Sequence, residues 1–231
     1  MKRFEVLTLF PGLFAPFVEE GLIGKAREKR LLEITLHNYR EQGLGRHRVV
    51  DDTPYGGGAG MVIRPEPVYA AVRERQAANA AEGRKTRVVL LTPQGRPFNQ
   101  AVAREMAAAE ETLLLICGRY EGFDERIRTG LVEDEISLGD FVTLGGECVA
   151  MVMMETVLRL VPGVLGNPDS TLEESFAQGR LEYPQFTRPP EFEGQRVPDV
   201  LISGHHGEIA RWREAEATRR TRERRPELLE G

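Results

Sequence analysis

The sequence predicts an α/β domain with a mostly parallel sheet, followed by a small helical domain. Segments with the pattern of strands alternate with segments of helical periodicity along the first 161 residues. The strand cores, such as "VVLL" at 88–91 and "LLLI" at 113–116, are continuously apolar. Strands that are buried on both faces and joined by helices are typical of parallel sheets covered on each side.

The elements follow one another in a regular order. Strands are predicted at 3–10, 31–38, 86–93, 112–118 and 135–141. Helices are predicted at 12–30, 65–83, 99–111, 123–131 and 147–161, from the spacing of apolar residues and from prolines at the start of the second one. A glycine- and arginine-rich loop occupies residues 39–61.

The composition of the chain changes after residue 161. Residues 162–174 are rich in Pro, Gly, Asp, Ser and Glu, which predicts a flexible linker. Little periodicity follows at 188–200, and a terminal helix is predicted at 207–230. We therefore expect an α/β domain at 1–161, the linker at 162–174 and a helical domain at 175–231.

Charge leaves two interpretations of the terminal helix open. The chain has 231 residues and a formal net charge of -5, so the whole molecule does not indicate nucleic-acid binding. Residues 211–225 nevertheless hold seven arginines against three glutamates. This run is typical either of a basic face that binds nucleic acid or of a solvated helix with internal Glu–Arg pairs.

Cysteine and histidine usage argues against a disulfide framework and a metal site. The two cysteines, Cys117 and Cys148, lie in apolar contexts, and the four histidines form no HExxH pattern. The N-terminus has the pattern of a strand and not of a signal peptide. No apolar run approaches the ~18 residues that span a membrane, so we expect a cytoplasmic protein without membrane contact.

Three glycine-bearing turns follow predicted strands. They are "TPQGR" at 92–96, "CGRYEG" at 117–122 and "SLGDFVTLGGE" at 137–147. Ligands of open α/β sheets bind beyond the carboxyl ends of the strands, so the three turns are expected to form one pocket. None carries the Lys and Ser/Thr of a P-loop, and the GxGxxG fingerprint is absent, which favours an uncharged, flat group such as a nucleoside.

A fourth glycine cluster, "YGGGAGM" at 55–61, lies in a loop that also carries Arg46, His47, Arg48 and Arg64. A flexible linker is the simple interpretation of such a cluster. Linkers seldom end in an apolar run such as "MVIRP", so we favour a functional loop.

Seven motifs together resemble one family. They are "RHRVVDDTPYGGGAGM" at 46–61, "LLTPQGR" at 90–96, "ICGRYEGFDERI" at 116–127, "ISLGDFVTLGGE" at 136–147, "VPGVLG" at 161–166, "ESFAQGRLEYPQFTRP" at 174–189 and "RRPELLEG" at 224–231. In this order, over nearly the whole chain, the sequence closely resembles the bacterial tRNA (guanine-N1)-methyltransferases of the knotted SPOUT class, the TrmD family. Those enzymes methylate the guanosine at position 37, next to the anticodon.

The resemblance implies a deep trefoil knot toward the C-terminal end of the α/β domain. It also implies a homodimer with the active site at the subunit interface, and S-adenosyl-L-methionine as methyl donor. A role for Mg²⁺ enters only through the resemblance and is left open. The implied donor-binding residues are Leu90, Leu91, Thr92, Pro93, Gln94 and Gly95 on the first turn, Gly118, Tyr120 and Glu121 on the second, and Ser137, Leu138, Gly139, Asp140, Phe141, Val142, Thr143, Gly145 and Gly146 on the third. Their glycines would let the backbone approach an adenosine and a methionyl sulfonium.

The chemistry of methyl transfer to guanine needs a base and a cation. Guanine N1 is a poor nucleophile until it loses its proton, and negative charge then builds on O6. The resemblance assigns the cation to Arg159, which the sequence alone also allows as an i,i+4 partner of Glu155. It assigns the base to Glu174, where the family pattern more often has aspartate in "EDSF" and this chain has "EESF". Asp169 is the alternative base.

The basic terminal segment is expected to hold RNA, because phosphate contacts supply most of the affinity of proteins for RNA. We expect the helical domain to bind the anticodon stem-loop of tRNA through Arg188, Arg211, Arg213, Arg219 and Arg220. Two alternatives remain: a knotted methyltransferase that acts on another RNA position, and a non-catalytic RNA-binding relative.

Overall fold

The fold consists of two compact units. The computed structural model describes residues 1–229, with the backbone alone at positions 168 and 169. The chain divides into a first unit, Met1–Gly166, and a second that begins at Asn167. The division falls inside the stretch 162–174.

The first unit is built on a five-stranded sheet. Its strands, in chain order, are β1 (Lys2–Thr8), β2 (Leu32–Asn38), β3 (Asp51–Asp52), β4 (Val62–Ile63), β5 (Thr86–Pro97), β6 (Thr112–Cys117) and β7 (Asp134–Ser137). The main sheet has the order β2-β1-β6-β5-β7, and every pairing within it is parallel. The prediction of a mostly parallel sheet is therefore confirmed. β3 and β4 pair separately as a short antiparallel ladder.

Helices cover both faces of this sheet. They are α1 (Ala15–Glu19), α2 (Gly21–Glu28), α3 (Pro65–Ala81), α4 (Gln100–Ala108), α5 (Glu125–Leu131) and α6 (Glu147–Leu158), with 3₁₀ turns at Pro11–Phe14 and Tyr39–Gln42. The single helix predicted at 12–30 is wrong. Glu20 adopts an extended conformation and Gly21 a positive φ of 62°, and together they separate α1 from α2.

Alternate side chains of the strands form two hydrophobic layers. Leu113 and Leu115 of β6 face the layer beneath α4 and α6, and Leu114 and Ile116 face the layer beneath α3 and α5. All four side chains are fully buried. Burial of such a side chain contributes about 1.5–3 kcal/mol, which explains the continuously apolar strand cores.

Two strands end differently from the prediction, and both differences create loops at the carboxyl edge of the sheet. The pairing of β5 with β7 shifts register between Leu91 and Arg96, so residues 92–95 bulge out before the ladder resumes. The strand predicted at 135–141 ends at Ser137. The hydroxyl of Ser137 accepts a hydrogen bond from the Gly139 amide at 3.2 Å, and Gly139 has a positive φ of 152°, so residues 138–146 leave the sheet.

A charged cluster around the buried Glu5 side chain joins β1 and β2 to α3. The Glu5 carboxylate accepts a hydrogen bond from Asn79 Nδ2 at 2.9 Å, and its other oxygen lies 3.1 Å from both His37 Nε2 and Arg75 Nε. Burial raises the pKa of Glu5, but the contacts with His37 and Asn79 and the charge of Arg75 outweigh it and hold the pKa below the ordinary 4.5.

We expect the substitution Glu5→Gln to lower the free energy of unfolding by about 2 kcal/mol at neutral pH, because hydrogen bonds to a buried charge are lost. A carboxyl whose pKa is depressed by folding stabilises the protein above its unfolded pKa. That contribution disappears as the pH falls through the folded pKa, so the difference between the two proteins should narrow below pH 4.5. Urea unfolding of both proteins from neutral to acid pH measures this difference, and a constant difference would contradict the account.

The second unit is small and mainly helical. It contains a 3₁₀ turn at Pro168–Thr171, the hairpin strands β8 (Glu191–Phe192) and β9 (Gln195–Arg196), the helices α7 (Asp199–Ile202) and α8 (His206–Arg224), and a 3₁₀ turn at Pro226–Leu229. The predicted terminal helix is shorter than expected at its end because Pro226 cannot continue it; residue 230 lies outside the described residues. The hairpin was not predicted, although its turn residues Glu193 and Gly194 both have a positive φ, as a two-residue turn requires.

Candidate functional site

The carboxyl ends of β5, β6 and β7 surround a cavity of about 340 Å³. The predicted turn residues that line it are Leu90, Leu91, Thr92, Pro93, Gln94, Gly118, Tyr120, Glu121, Ser137, Leu138, Phe141, Val142, Thr143, Gly145 and Gly146. The three turns therefore meet at one place. Gly95, Gly139 and Asp140 do not line the cavity. The lining also includes residues that the sequence did not single out: Arg119, Gly122, Phe123, Glu125, Arg128, Ile136, Leu144 and Val149.

Two glycines of these turns, Gly95 and Gly146, are explained by contacts between protein atoms. A Cβ at Gly95 would lie 2.4 Å from the backbone of Glu135 in β7. A Cβ at Gly146 would lie 2.8 Å from the Cα of Cys117 in β6, and the Gly146 amide donates a hydrogen bond to the Gly118 carbonyl at 3.0 Å. Close packing of the loops on the strands thus requires glycine at these positions without any ligand.

The substitution Gly146→Ala should lower the free energy of unfolding by about 1–3 kcal/mol, because the added methyl group must push α6 away from β6. Thermal or urea unfolding measures the change. Gly12→Ala is the matched control, since a Cβ there would meet nothing within 4 Å. Equal stability of the two variants would contradict the packing explanation.

A buried carboxylate fixes the second and third turns to β1. Glu147, the first residue of α6, is 1% exposed. Its Oε1 accepts a hydrogen bond from Thr8 Oγ1 at 2.7 Å, and its Oε2 lies 2.9 Å from Arg119 Nη2. The Arg119 guanidinium also lies 4.6 Å from the centre of the Phe10 ring. Because a buried charge is stable only when it is paired, these contacts hold Arg119 in one place on the cavity wall.

The glycine-rich loop at 55–61 lies against the second turn. The Glu121 amide donates to the Met61 carbonyl at 3.0 Å, and the Ile63 amide donates to the Gly122 carbonyl at 2.8 Å. A Cβ at Gly60 would lie 2.4 Å from the Glu121 carboxylate. The fourth glycine cluster therefore supports the second turn, although none of its residues lines the cavity.

Among the charged residues of the cavity wall, Glu121 differs from the others. Arg119 is paired with Glu147, and Arg128 is paired with Glu125 and Glu135. The hydrogen bond from Arg128 lowers the pKa of Glu125. Within residues 1–229, Glu121 forms no salt bridge, so its carboxylate is available to a cationic group in the cavity.

The two predicted catalytic residues lie in different units. Arg159 is exposed at the C-terminal end of α6, on the same helical face as the exposed residues Cys148 and Val152. Glu174 is half-buried and lines a second cavity of about 260 Å³ in the second unit. The side chain of Asp169, the alternative base, lies outside the described residues.

The wall of this second cavity also holds Glu173, Tyr183 and Arg213. Tyr183 Oη donates to Glu173 at 3.0 Å, and the Arg213 guanidinium lies 4.7 Å from the centre of the Tyr183 ring. Glu173 is therefore held by a tyrosine hydroxyl, and Arg213 Nη1 lies 4.0 Å from its Oε2.

The basic residues of the second unit fall into two groups. Arg219 pairs with Glu216 at 2.7 Å and Glu223 at 2.9 Å on its own helix, as expected of a solvated helix with internal pairs. In the described part of the chain, Arg188, Arg211 and Arg220 form no salt bridge. The internal pairs expected of a solvated helix are therefore present at Arg219, and nucleic-acid binding by the other arginines stays a prediction.

Two kinds of feature are absent from the part of the chain that the structure describes, residues 1–229. No group of three or more His, Cys, Asp or Glu side chains in this range comes together in a way that could hold a metal ion. No helix in the same range is both long enough and apolar enough to cross a membrane.

Comparison with known proteins supports the resemblance. The sequence matches the family described as tRNA (Guanine-1)-methyltransferase TrmD over residues 1–231. A tRNA (guanine-N(1)-)-methyltransferase of Geobacter sp. (strain M21) is 54% identical over 229 residues, which cover 99% of this chain and 90% of the relative. Proteins of the same name from Syntrophotalea carbinolica and Symbiobacterium thermophilum are 55% identical over 227 residues and 53% identical over 226 residues. These alignments cover 98% of this chain in each case, and 90% and 91% of the two relatives. The chain belongs to the tRNA (guanine-1)-methyltransferase family.

Proposed function

We propose that the protein methylates N1 of the guanosine at position 37 of tRNA, with S-adenosyl-L-methionine as methyl donor. The observation that carries the proposal is the meeting of the three turns around one cavity in a chain of this family. A cavity of about 340 Å³ is in the usual range for small-molecule sites. A tRNA substrate would place the enzyme in the cytoplasm.

The residues of the cavity fit this donor. Leu90, Leu138 and Phe141 provide apolar surface for a flat, uncharged base such as adenine. The unpaired carboxylate of Glu121 suits a cationic group, and the donor has two, its amino group and its sulfonium. When bound, the donor supplies an electrophilic methyl group. Any role of Mg²⁺ stays a prediction.

Two side chains carry the proposed chemistry. The Glu174 carboxylate accepts the proton of guanine N1, and this proton transfer makes the nitrogen nucleophilic. The Arg159 guanidinium stabilises the negative charge that develops on O6. In the proposed mechanism each of the two groups acts on the target guanine of the tRNA.

A trefoil knot in the first unit is part of the proposal. After β7, at the edge of the sheet, the chain returns past the end of β5 to β6, where the Gly146 amide bonds the Gly118 carbonyl. Glu147 then bonds Thr8 of β1, one strand further on. The segment after β7 therefore crosses from the edge of the sheet over the carboxyl end of β5 to reach β6. A return of the chain over an earlier strand end supports the proposed knot.

We also propose a homodimer whose second subunit completes the active site. Val142 and Leu144 on the third turn are 84% and 93% exposed, and Val152 on α6 is 47% exposed. Apolar side chains at a ligand cavity that are this exposed are typical of an interface. Light scattering should give twice the chain mass, whereas the mass of a single chain would contradict the dimer.

The second unit, with the helical domain at 175–231, is proposed to bind the anticodon stem-loop. Arg188, Arg211 and Arg220 support this best because no carboxylate pairs with them in the described part of the chain. Arg213 would have to exchange its present partners, Tyr183 and Glu173, for phosphate, and Arg219 its two helix glutamates.

Calorimetry tests the donor site. S-adenosyl-L-methionine titrated into the protein without RNA should bind with one site per chain, and Glu121→Gln should weaken binding by roughly tenfold, because a charge-assisted contact is lost. A non-catalytic RNA-binding relative would give no heat of binding. Digestion of the methylated tRNA with a base-specific ribonuclease and mass spectrometry of the fragments then separate position 37 from any other position.

A further inference from the structure

A short basic hairpin lies outside the site described so far. Residues 44–49, the basic hairpin, are closed by hydrogen bonds from the Leu44 amide to the Val49 carbonyl at 2.8 Å and from the Val49 amide to the Leu44 carbonyl at 3.0 Å. Its tip consists of Gly45, Arg46, His47 and Arg48, and all three basic side chains are exposed.

The shape of the hairpin is fixed by its backbone. Arg48 has a positive φ of 50°, which is unfavourable for a residue with a side chain. A Cβ at Gly43 would lie 2.4 Å from the Arg48 carbonyl, so only glycine allows the hairpin to fold back this closely. Strained backbone that is kept at an exposed position is typical of functional sites.

The charge of the hairpin is not neutralised by the protein. Several arginines of the first unit are paired with carboxylates, for example Arg64 with Asp52 at 2.7 Å and Arg96 with Asp134 at 2.8 Å. Within residues 1–229, Arg46, His47 and Arg48 take part in no salt bridge. The hairpin therefore presents an uncompensated positive surface.

The hairpin lies at the same edge of the sheet as the cavity. It follows the carboxyl end of β2, and Val50 at its base is fully buried. The Val50 carbonyl accepts a hydrogen bond from the Arg64 amide at 2.8 Å. The preceding residue, Ile63, bonds Gly122 on the second turn, so a short backbone connection joins the hairpin to the cavity rim.

We propose that the basic hairpin binds phosphate groups of the tRNA backbone while the target base occupies the site at the cavity. This inference rests on the proposed function. Basic side chains on a rigid hairpin can neutralise phosphates and release their counterions, which gives an affinity that falls with salt. The hairpin would thus be an RNA contact of the first unit, separate from the arginines of the second.

The test is the salt dependence of tRNA binding by the double variant R46Q/R48Q. The logarithm of the binding constant should fall less steeply with the logarithm of salt concentration, by about 0.7–0.9 for each lost contact. Affinity near 0.1 M salt should fall roughly tenfold or more. The control is K29Q/R30Q, which removes two exposed cations just before β2, at the opposite edge of the sheet.

Donor affinity, measured by calorimetry, should be the same in both double variants and in the wild type. The proposal would be overturned if R46Q/R48Q bound tRNA with the affinity and the salt dependence of the wild type. It would also be overturned if the control K29Q/R30Q lost as much tRNA affinity as R46Q/R48Q. Methyl transfer by the wild-type protein tests the proposed function separately. If the wild type transfers methyl groups and R46Q/R48Q binds tRNA normally, only the role of the basic hairpin is refuted. If the wild type neither transfers methyl groups nor binds tRNA, the proposed function and the role of the hairpin are both refuted.

Discussion

Glutamine at position 174 should lower kcat for methyl transfer by about 10²–10⁴-fold, the usual contribution of a general base. The amide has nearly the shape of the carboxylate but cannot accept the proton of guanine N1. Glu174 lies in the second unit, and the turns that form the donor cavity lie in the first. The substitution should therefore leave donor affinity unchanged.

Glu173→Gln is the matched control for this prediction. The two residues are adjacent and line the same cavity, but Glu173 accepts a hydrogen bond from Tyr183 at 3.0 Å. Single-turnover kinetics with tRNA measure the chemical step for both variants. If Glu173→Gln loses activity and Glu174→Gln keeps it, the base is the neighbouring residue.

Glu174→Asp tests the departure from the family pattern. The shorter side chain keeps the carboxylate but withdraws it by one methylene, and a misplacement of about 1 Å can cost ~10²-fold in rate. We expect the aspartate variant to remain faster than the glutamine variant, because only the former can accept a proton. Equal rates would mean that the carboxylate is not needed.

The substitution Glu147→Ala should have the largest effect on stability, about 3–5 kcal/mol, because it leaves Arg119 without its buried partner. Glu147 is 1% exposed and joins Thr8 of β1 to Arg119 on the cavity wall. Since Arg119 lies against the third turn, donor affinity should fall as well. Urea unfolding and calorimetry measure the two effects.

Two further variants distinguish the loss of the Glu147–Arg119 ion pair from a non-specific loss of stability. Glu125→Gln removes an exposed carboxylate from the same cavity and should change stability little, because exposed ion pairs are weakened by solvent. The double variant Glu147→Leu/Arg119→Met should recover part of the stability, because it replaces both charged side chains by apolar ones and leaves no unpaired charge. A double variant as unstable as the sum of the two single changes would contradict a direct pair.

The sequence was informative where local pattern decides structure. Apolar cores such as Leu113–Ile116 require burial on both faces, and this requirement leads directly to a covered parallel sheet. The helix predicted at 12–30 failed at Glu20, because apolar spacing continues through a residue whose backbone is extended. Periodicity indicates which face of a helix is apolar, but it does not indicate where the backbone leaves the helical conformation.

Contacts between distant residues could not be predicted in this way. Thr8 and Glu147 are 139 residues apart, so their hydrogen bond depends on the strand order, which brings β1 beside β6. The position of Gly95 against β7 depends on the same order. The glycines at predicted strand ends located the three turns, but only the fold shows that Gly95 and Gly146 pack against protein.

Methyl transfer to tRNA tests the central claim most directly. The protein would be incubated with radiolabelled S-adenosyl-L-methionine and a tRNA transcript that carries guanosine at position 37, and in parallel with a transcript that carries adenosine there. We predict incorporation into the first transcript only, recovered as N1-methylguanosine. Equal incorporation into both transcripts would contradict the assigned position, and incorporation into neither would contradict the proposed activity.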